Sequence, residues 1–241
     1  MYDPVKRAID VARVVCDGES RKYYRFRPAR FYGGIATADC IGCCLRCIFC
    51  WSWQNVIAPK RSGRFYSPKE VARRLSSIAH KKGFHQIRIS GNEPTISRNH
   101  LMKVIELVPR NILFILETNG ILIGYDRTYA DDLARYDNVY VRVSLKGCNE
   151  QQFARLTGAD PNSFVLQLQA LGNLLRAGVN THPAVMVSFS SNEDVESLRK
   201  RLLAIDKQLE KIEVEELMLY GDVEDRLRKA KIGYTSAYLP D

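Results

Sequence analysis

Nowhere in the sequence do about 18 apolar residues run together, so no membrane-spanning helix is expected. The opening residues, Met1-Tyr2-Asp3-Pro4-Val5-Lys6-Arg7, lack the apolar stretch of a secretory signal. A cytoplasmic protein with no membrane partner is therefore expected. Internal repeats and low-complexity tracts are missing too, which excludes a solenoid and a disordered linker. Cysteines are sparse except in one place. Outside residues 40–50 there are only Cys16 and Cys148, too few to build a second metal cluster.

What is present is an ordinary globular composition. The 241 residues, 46% hydrophobic and 26% charged, suffice for one barrel or α/β domain with a core that needs no staples. The net charge of +9 suits a partner bearing phosphates or carboxylates. Arg21, Lys22, Arg25 and Arg27 interleave with Tyr23, Tyr24, Phe26, Phe31 and Tyr32. That pattern fits a surface that stacks and clamps nucleic acid, or an edge strand with a solvated basic face.

Strand and helix patterns alternate along the chain. Strands are predicted over 31–39, 86–90, 112–116, 139–145, 182–188 and 214–220. Helices are predicted over 67–82, 99–108, 129–136, 161–177 and 193–203. Ser67 and Glu70 make a capping box with Pro68 at the first turn, and Gly83 stops that helix. Six strands alternating with helices imply a parallel sheet with right-handed crossovers. The run Ile112-Leu113-Phe114-Ile115-Leu116 reads as a strand covered on both faces. The expected fold is α/β, a partial (β/α)6 barrel of parallel strands over 31–221. An N-terminal extension (1–30) and a C-terminal tail (222–241) flank it. In such folds chemistry gathers at the carboxyl ends of the strands.

Five cysteines crowd residues 40–50, in Cys40-Ile41-Gly42-Cys43-Cys44-Leu45-Arg46-Cys47-Ile48-Phe49-Cys50. In an intracellular chain such crowding points to a metal or cluster rather than disulfides. A C-x3-C-x2-C spacing occurs in two registers, Cys40/Cys44/Cys47 and Cys43/Cys47/Cys50. Three thiolates can hold three irons of a cubane and leave the fourth open. Zinc held by the same cysteines is the alternative.

The second register, with Phe49 before Cys50, resembles the C-x3-C-x-aromatic-C signature of the radical S-adenosylmethionine (SAM) superfamily. The first register has Arg46 at the aromatic position. Further segments at strand ends extend the resemblance. Ser90-Gly91-Asn92-Glu93-Pro94 resembles the G-G-E-P segment, with Asn92 for the second Gly. Glu117-Thr118-Asn119-Gly120 and Ser144-Leu145-Lys146 resemble segments of the glycyl-radical-enzyme activating branch (pyruvate formate-lyase activating enzyme-like), with Ser144 for an Asp. The resemblance covers roughly residues 32–190.

The resemblance implies one [4Fe-4S] cluster on Cys43, Cys47 and Cys50, and SAM as cofactor. It implies Phe49 against the adenine and Gly91, Asn92, Glu93 and Pro94 around the amino group. It adds Glu117, Asn119 and Ser144 as further contacts, and Lys146 on the carboxylate. It implies an electron donor such as flavodoxin or ferredoxin. The implied reaction is reductive cleavage of SAM, then hydrogen abstraction from a substrate. A protein partner, as for an activase, is the first reading of that substrate. The Cys47–Trp51 run resembles the cluster loop of wybutosine-type enzymes, so tRNA is the second. A non-catalytic iron–sulfur or zinc module is the reading from another class. His182 opens a strand at its amino end and reads as structural. Roles for Cys16, Cys40, Cys44 and Cys148 stay open.

Overall fold

The computed structural model describes residues 1–240, so Asp241, the last residue of the expected tail, lies outside the described residues. Helix α1 (Pro4–Val15) precedes strands β1 (Cys16–Asp17), β2 (Ser20–Ala29) and β3 (Ile35–Cys40). The cysteine run follows, then α2 (Trp53–Ile57) and β4 (Arg64–Tyr66). Alternation then sets in with α3 (Pro68–Lys82), β5 (Gln86–Gly91), α4 (Arg98–Leu107) and β6 (Leu113–Thr118). It continues through α5 (Ile121–Tyr125), α6 (Thr128–Leu133), β7 (Val139–Leu145), α7 (Glu150–Thr157), α8 (Phe164–Arg176) and β8 (Asn180–Met186). The chain closes with α9 (Asn192–Ile205), β9 (Glu213–Glu215), β10 (Leu217–Met218), α10 (Val223–Lys229) and β11 (Ala237–Tyr238).

Strands β3, β5, β6, β7, β8 and β9 lie side by side and parallel, the six-stranded partial barrel expected from the alternation. Helices supply the crossovers. At the β3 edge, β2 adds on antiparallel and carries β1 and β4. Residues 16–29, which the sequence set apart as an extension, thus belong to the same sheet. A register shift between Tyr23 and Arg25 breaks the two-residue period of β2 and hides it from pattern reading.

Local signals explain several boundaries. The Ser67–Glu70 capping box is present, and Gly83 ends α3 at φ 67°. The first barrel strand starts at Ile35 rather than at 31, because residues 31–33 form a tight turn with Tyr32 at φ 53°. The long helix α8 starts at Phe164 after a separate turn over 161–163 capped by Asp160. The last predicted strand splits into β9 and β10.

The sheet has two unlike faces. Ala36, Ile87, Phe114, Leu116, Val141 and Val143 are fully buried on the face that helices cover. The other face is charged. Arg25 and Arg27 pair with Asp39, Arg88 with Glu117, and Arg142 reaches across β8 to Glu213 and Glu215. This second face is polar yet still largely covered: Asp39, Arg88, Ile115 and Ser144 on it are buried. In β6, Phe114 is fully buried while its neighbour Leu113 is 39% exposed. The concave, polar side is the lumen of the partial barrel. Among the described residues no helix is long and apolar enough to cross a membrane.

One glycine sets the approach of two helices. A Cβ on Gly124 in α5 would stand 1.8 Å from the Leu166 carbonyl oxygen in α8. Gly124→Ala should cost about 3 kcal/mol, since backbone cannot yield as a flexible side chain does. A lowered urea midpoint with unchanged slope in the metal-free protein is the expected reading.

Candidate cofactor site

The cysteine run leaves the carboxyl end of β3 and is stitched to neighbouring strand ends. Gly91 ends β5 at φ 97°, and a Cβ there would meet the Cys40 backbone at 2.9 Å. Asn92 needs no positive φ, contrary to the worry its substitution for glycine raises. Its Oδ1 instead accepts from Gly42 N at 2.8 Å. Asn92 N donates to the Cys40 carbonyl and Glu93 N to the Gly42 carbonyl. The strand-end segment thus shapes the start of the cysteine loop.

Glu93 is 1% exposed, and its carboxylate is fully occupied. Oε1 accepts from Thr95 N, from Thr95 Oγ1 at 2.6 Å and from Thr118 Oγ1 at 2.7 Å. Oε2 accepts from Asn119 N at 2.8 Å. The carboxylate therefore locks the end of β6 to the end of β5. Pro94, next in the chain, opens a short buried turn.

Asn119 stands beside the thiols. Its Nδ2 lies 3.6 Å from Cys43 Sγ and 3.3 Å from Cys44 Sγ. Glu117, two residues earlier, pairs with Arg88 at 2.7 Å and accepts from Tyr32 Oη. It faces the lumen, on the side of β6 opposite Leu116 and Thr118. Ser144 Oγ donates to Glu215 Oε2 at 2.7 Å and is also bonded to Lys146. The Lys146 ammonium lies 3.8 Å from Glu215. Burial pulls that ammonium down, but Glu215 and the Cys47 thiolate hold it above its ordinary range. Burial likewise raises Glu215, and Lys146 with Arg142 brings it below the usual carboxylate range. Lys146 is thus a half-buried, charged cation near the cysteine loop.

The thiols differ in setting. Burial pushes Cys47 up, and Cys50 up to about 11. Cys43 is drawn down by a hydrogen bond from Cys44, which is raised in return. Cys40 is completely buried in the core and raised to about 12. Phe49 packs on Phe189, ring centroids 5.4 Å apart, just beyond β8. Cys148 is buried, with its thiol raised by burial. Cys16 is half-buried near Arg21. His182 bonds Tyr140 Oη and Glu213, as a structural histidine does.

Several residues here carried no motif. Gln167, fully buried in α8, donates to the carbonyls of Asn119 and Ser144 and accepts from Lys146 N. It ties the ends of β6 and β7, and its only signal is that it is one of three amides, with Gln169 and Asn173, in a largely apolar helix. Arg226 of α10 donates to the carbonyls of Ile48 and Cys50 and lies over the Trp53 ring. Thr95 and Thr118 serve Glu93.

The residues fit a cluster and SAM. Thiols raised by burial become thiolates where iron offsets the charge. A half-buried ammonium beside them suits a carboxylate ligand. Among the described residues no three His, Cys, Asp or Glu side chains converge as ligands of a single metal ion do. A cubane asks each thiolate for a different iron.

Comparisons with known proteins agree. The GTP 3′,8-cyclase of Peptoclostridium acidaminophilum is 27% identical over 218 residues, covering 88% of this chain and 61% of the relative. That of Rhodococcus opacus is 31% identical over 122 residues, 49% of this chain and 33% of the relative. The chain thus spans between about a third and three-fifths of these curated relatives. In fold it resembles Streptococcus suis SuiB bound to its precursor peptide SuiA, with TM-score 0.59, 18% identity and coverage of 86% of this chain and 48% of SuiB. It also resembles TYW1 with a lysine–pyruvate adduct bound, with TM-score 0.58, 16% identity and coverage of 95% and 88%. The family model of the radical SAM superfamily matches residues 40–202, and the chain belongs to that superfamily.

Proposed function

We propose that Cys43, Cys47 and Cys50 hold a [4Fe-4S] cluster and that Lys146 receives the carboxylate of SAM. When bound, the two groups supply reductive cleavage of SAM to methionine and a 5′-deoxyadenosyl radical, which takes a hydrogen atom from the substrate. The observation that carries this reading is the half-buried Lys146 ammonium just past β7, held by Ser144 and Glu215 and tied through Gln167 to Asn119, whose Nδ2 lies 3.6 Å from Cys43 Sγ. Gly91 and Asn92 offer backbone groups for the amino end of SAM, since the Glu93 side chain is already committed. Phe49 and Phe189 offer ring faces to the adenine. Lumen arginines paired with carboxylates orient a polar substrate and limit water at the reacting face.

For the substrate, a nucleotide, free or within RNA, is the reading we favour. Beside Cys50, the Arg25 guanidinium lies 5.4 Å from the Tyr24 ring centroid and 5.6 Å from that of Trp51. Trp51 is 46% exposed, leaving ring surface for a base. Relatives named GTP 3′,8-cyclase support it. An activase role drew on Glu117 and Ser144, and both are bonded to neighbours in the lumen.

The test is anaerobic reconstitution with iron and sulfide, then dithionite and SAM. Deoxyadenosine should form, and faster with the right substrate among GTP, other nucleotides, tRNA and a glycyl-radical protein. A full iron complement with neither SAM binding nor deoxyadenosine would instead favour the non-catalytic module.

A further inference from the structure

The outer side of the cysteine loop carries two cations with no counter-charge. Arg46, between Cys43 and Cys47, is exposed. Arg7 of α1 stands beside it. Both guanidiniums lie over the Tyr2 ring, each 5.6 Å from its centroid. Among the described residues neither makes a salt bridge. Carboxylates near them in the chain are committed elsewhere. Asp3 caps α1, Asp10 pairs with Arg13, and Asp160 caps the turn before α8. Arg7 Nε is buried with no hydrogen-bond partner. Burial and then the Arg46 charge pull the Arg7 guanidinium down.

The platform is fixed and close to the thiols. The Tyr2 carbonyl accepts from Asp160 N, and its hydroxyl donates to the Thr157 carbonyl at 3.1 Å. Burial pushes its phenol up, and the carbonyl of Leu156, next to Thr157, accepts from Ile48 N of the cysteine loop at 2.8 Å. Helix α1 covers the loop here, with Val11 and Val15 against Gly42.

We propose that Arg7 and Arg46, held about Tyr2, dock an acidic one-electron carrier protein that reduces the cluster; this rests on the function proposed above. Like charges held without a partner cost free energy in the isolated chain, and a negative surface removes that cost. The position fits the task, because an electron delivered from outside leaves the lumen free for SAM and substrate. The carrier loses one electron and the cluster gains it, with no bond made or broken.

The test uses the full chain and flavodoxin as the probe carrier. Stopped-flow bleaching of the cluster by reduced flavodoxin is measured against salt, and flavodoxin binding to the metal-free chain by calorimetry. Arg7→Glu with Arg46→Glu should slow bleaching at low salt by about tenfold or more and flatten its salt dependence. Binding to the metal-free chain should weaken in parallel. Arg46→Lys should keep most of the rate, and dithionite should reduce all forms within about twofold of one another. Unchanged flavodoxin kinetics in the double variant would overturn the docking site. So would an equal loss with dithionite, which would place the effect on the cluster itself. A tRNA mobility shift lost in the variant, with carrier kinetics intact, would assign the patch to RNA and overturn it too. Absence of a reducible cluster in the wild type would instead strike the function on which the proposal rests.

Discussion

Cys47→Ala should reconstitute with almost no iron, where the wild-type chain takes up about four irons. Visible absorbance and deoxyadenosine formation should vanish together. Cys43→Ala and Cys50→Ala should behave alike, because each of the three thiolates serves a separate iron and two cannot hold an open cubane. Cys47 belongs to both possible registers, so it shows only that the loop binds the cluster. The register is decided by a second pair. Cys40 is wholly buried at the end of β3, away from solvent. Cys40→Ala should retain iron and lose only packing, on the order of 1 kcal/mol. Cys44 hydrogen-bonds Asn119, and its alanine variant should also keep the cluster. Iron lost from Cys40→Ala but kept in Cys50→Ala would move the site to Cys40, Cys44 and Cys47.

Glu93→Ala should destabilise the metal-free protein by roughly 3 kcal/mol, before any SAM is added. The carboxylate accepts four donors in a site sealed from water. Removing it strands the backbone N–H groups of Thr95 and Asn119 and frees two hydroxyls. Buried donors without acceptors cost their full desolvation. Glu93→Gln should cost less, since its amide oxygen can keep the three bonds made by Oε1 while its N–H group opposes only Asn119 N. Urea unfolding of the metal-free variants measures this directly. Wild-type stability with only SAM affinity lost would return the carboxylate to the ammonium of SAM. The same residue thus separates a ligand from a lock on two strand ends.

Much of the fold was legible because its signals are local. Ser67, Glu70 and Gly83 mark both ends of α3 within the span of that helix. The cysteine spacing and Phe49 lie within a few residues, so the loop could be read. The lumen was half legible. In β7, Tyr140, Arg142 and Ser144 alternate with Val139, Val141 and Val143, an open statement of one polar face. The apolar run 112–116 pointed the other way, because Leu113 and Ile115 fall on the polar side without polar atoms. Strand-end motifs located Glu93, Glu117 and Ser144, but not their bonds. Each is held by residues from other elements: Thr118 and Asn119 for Glu93, Arg88 for Glu117, Glu215 for Ser144. Such pairings join distant parts of the chain and leave no mark on either segment alone. Gln167 and Arg226 were missed for the same reason.

The Arg226 clamp has a bearing on biosynthesis. Its guanidinium grips Ile48 O and Cys50 O from 178 and 176 positions further along the chain. A ribosome releases the cysteines long before it makes α10, and until then those two carbonyls lack their donor. Domains assemble from the amino end as they emerge, yet here α10 fastens a much earlier loop. The loop that carries Cys47 and Cys50 is thus fastened only once α10 has emerged, 176 residues after Cys50.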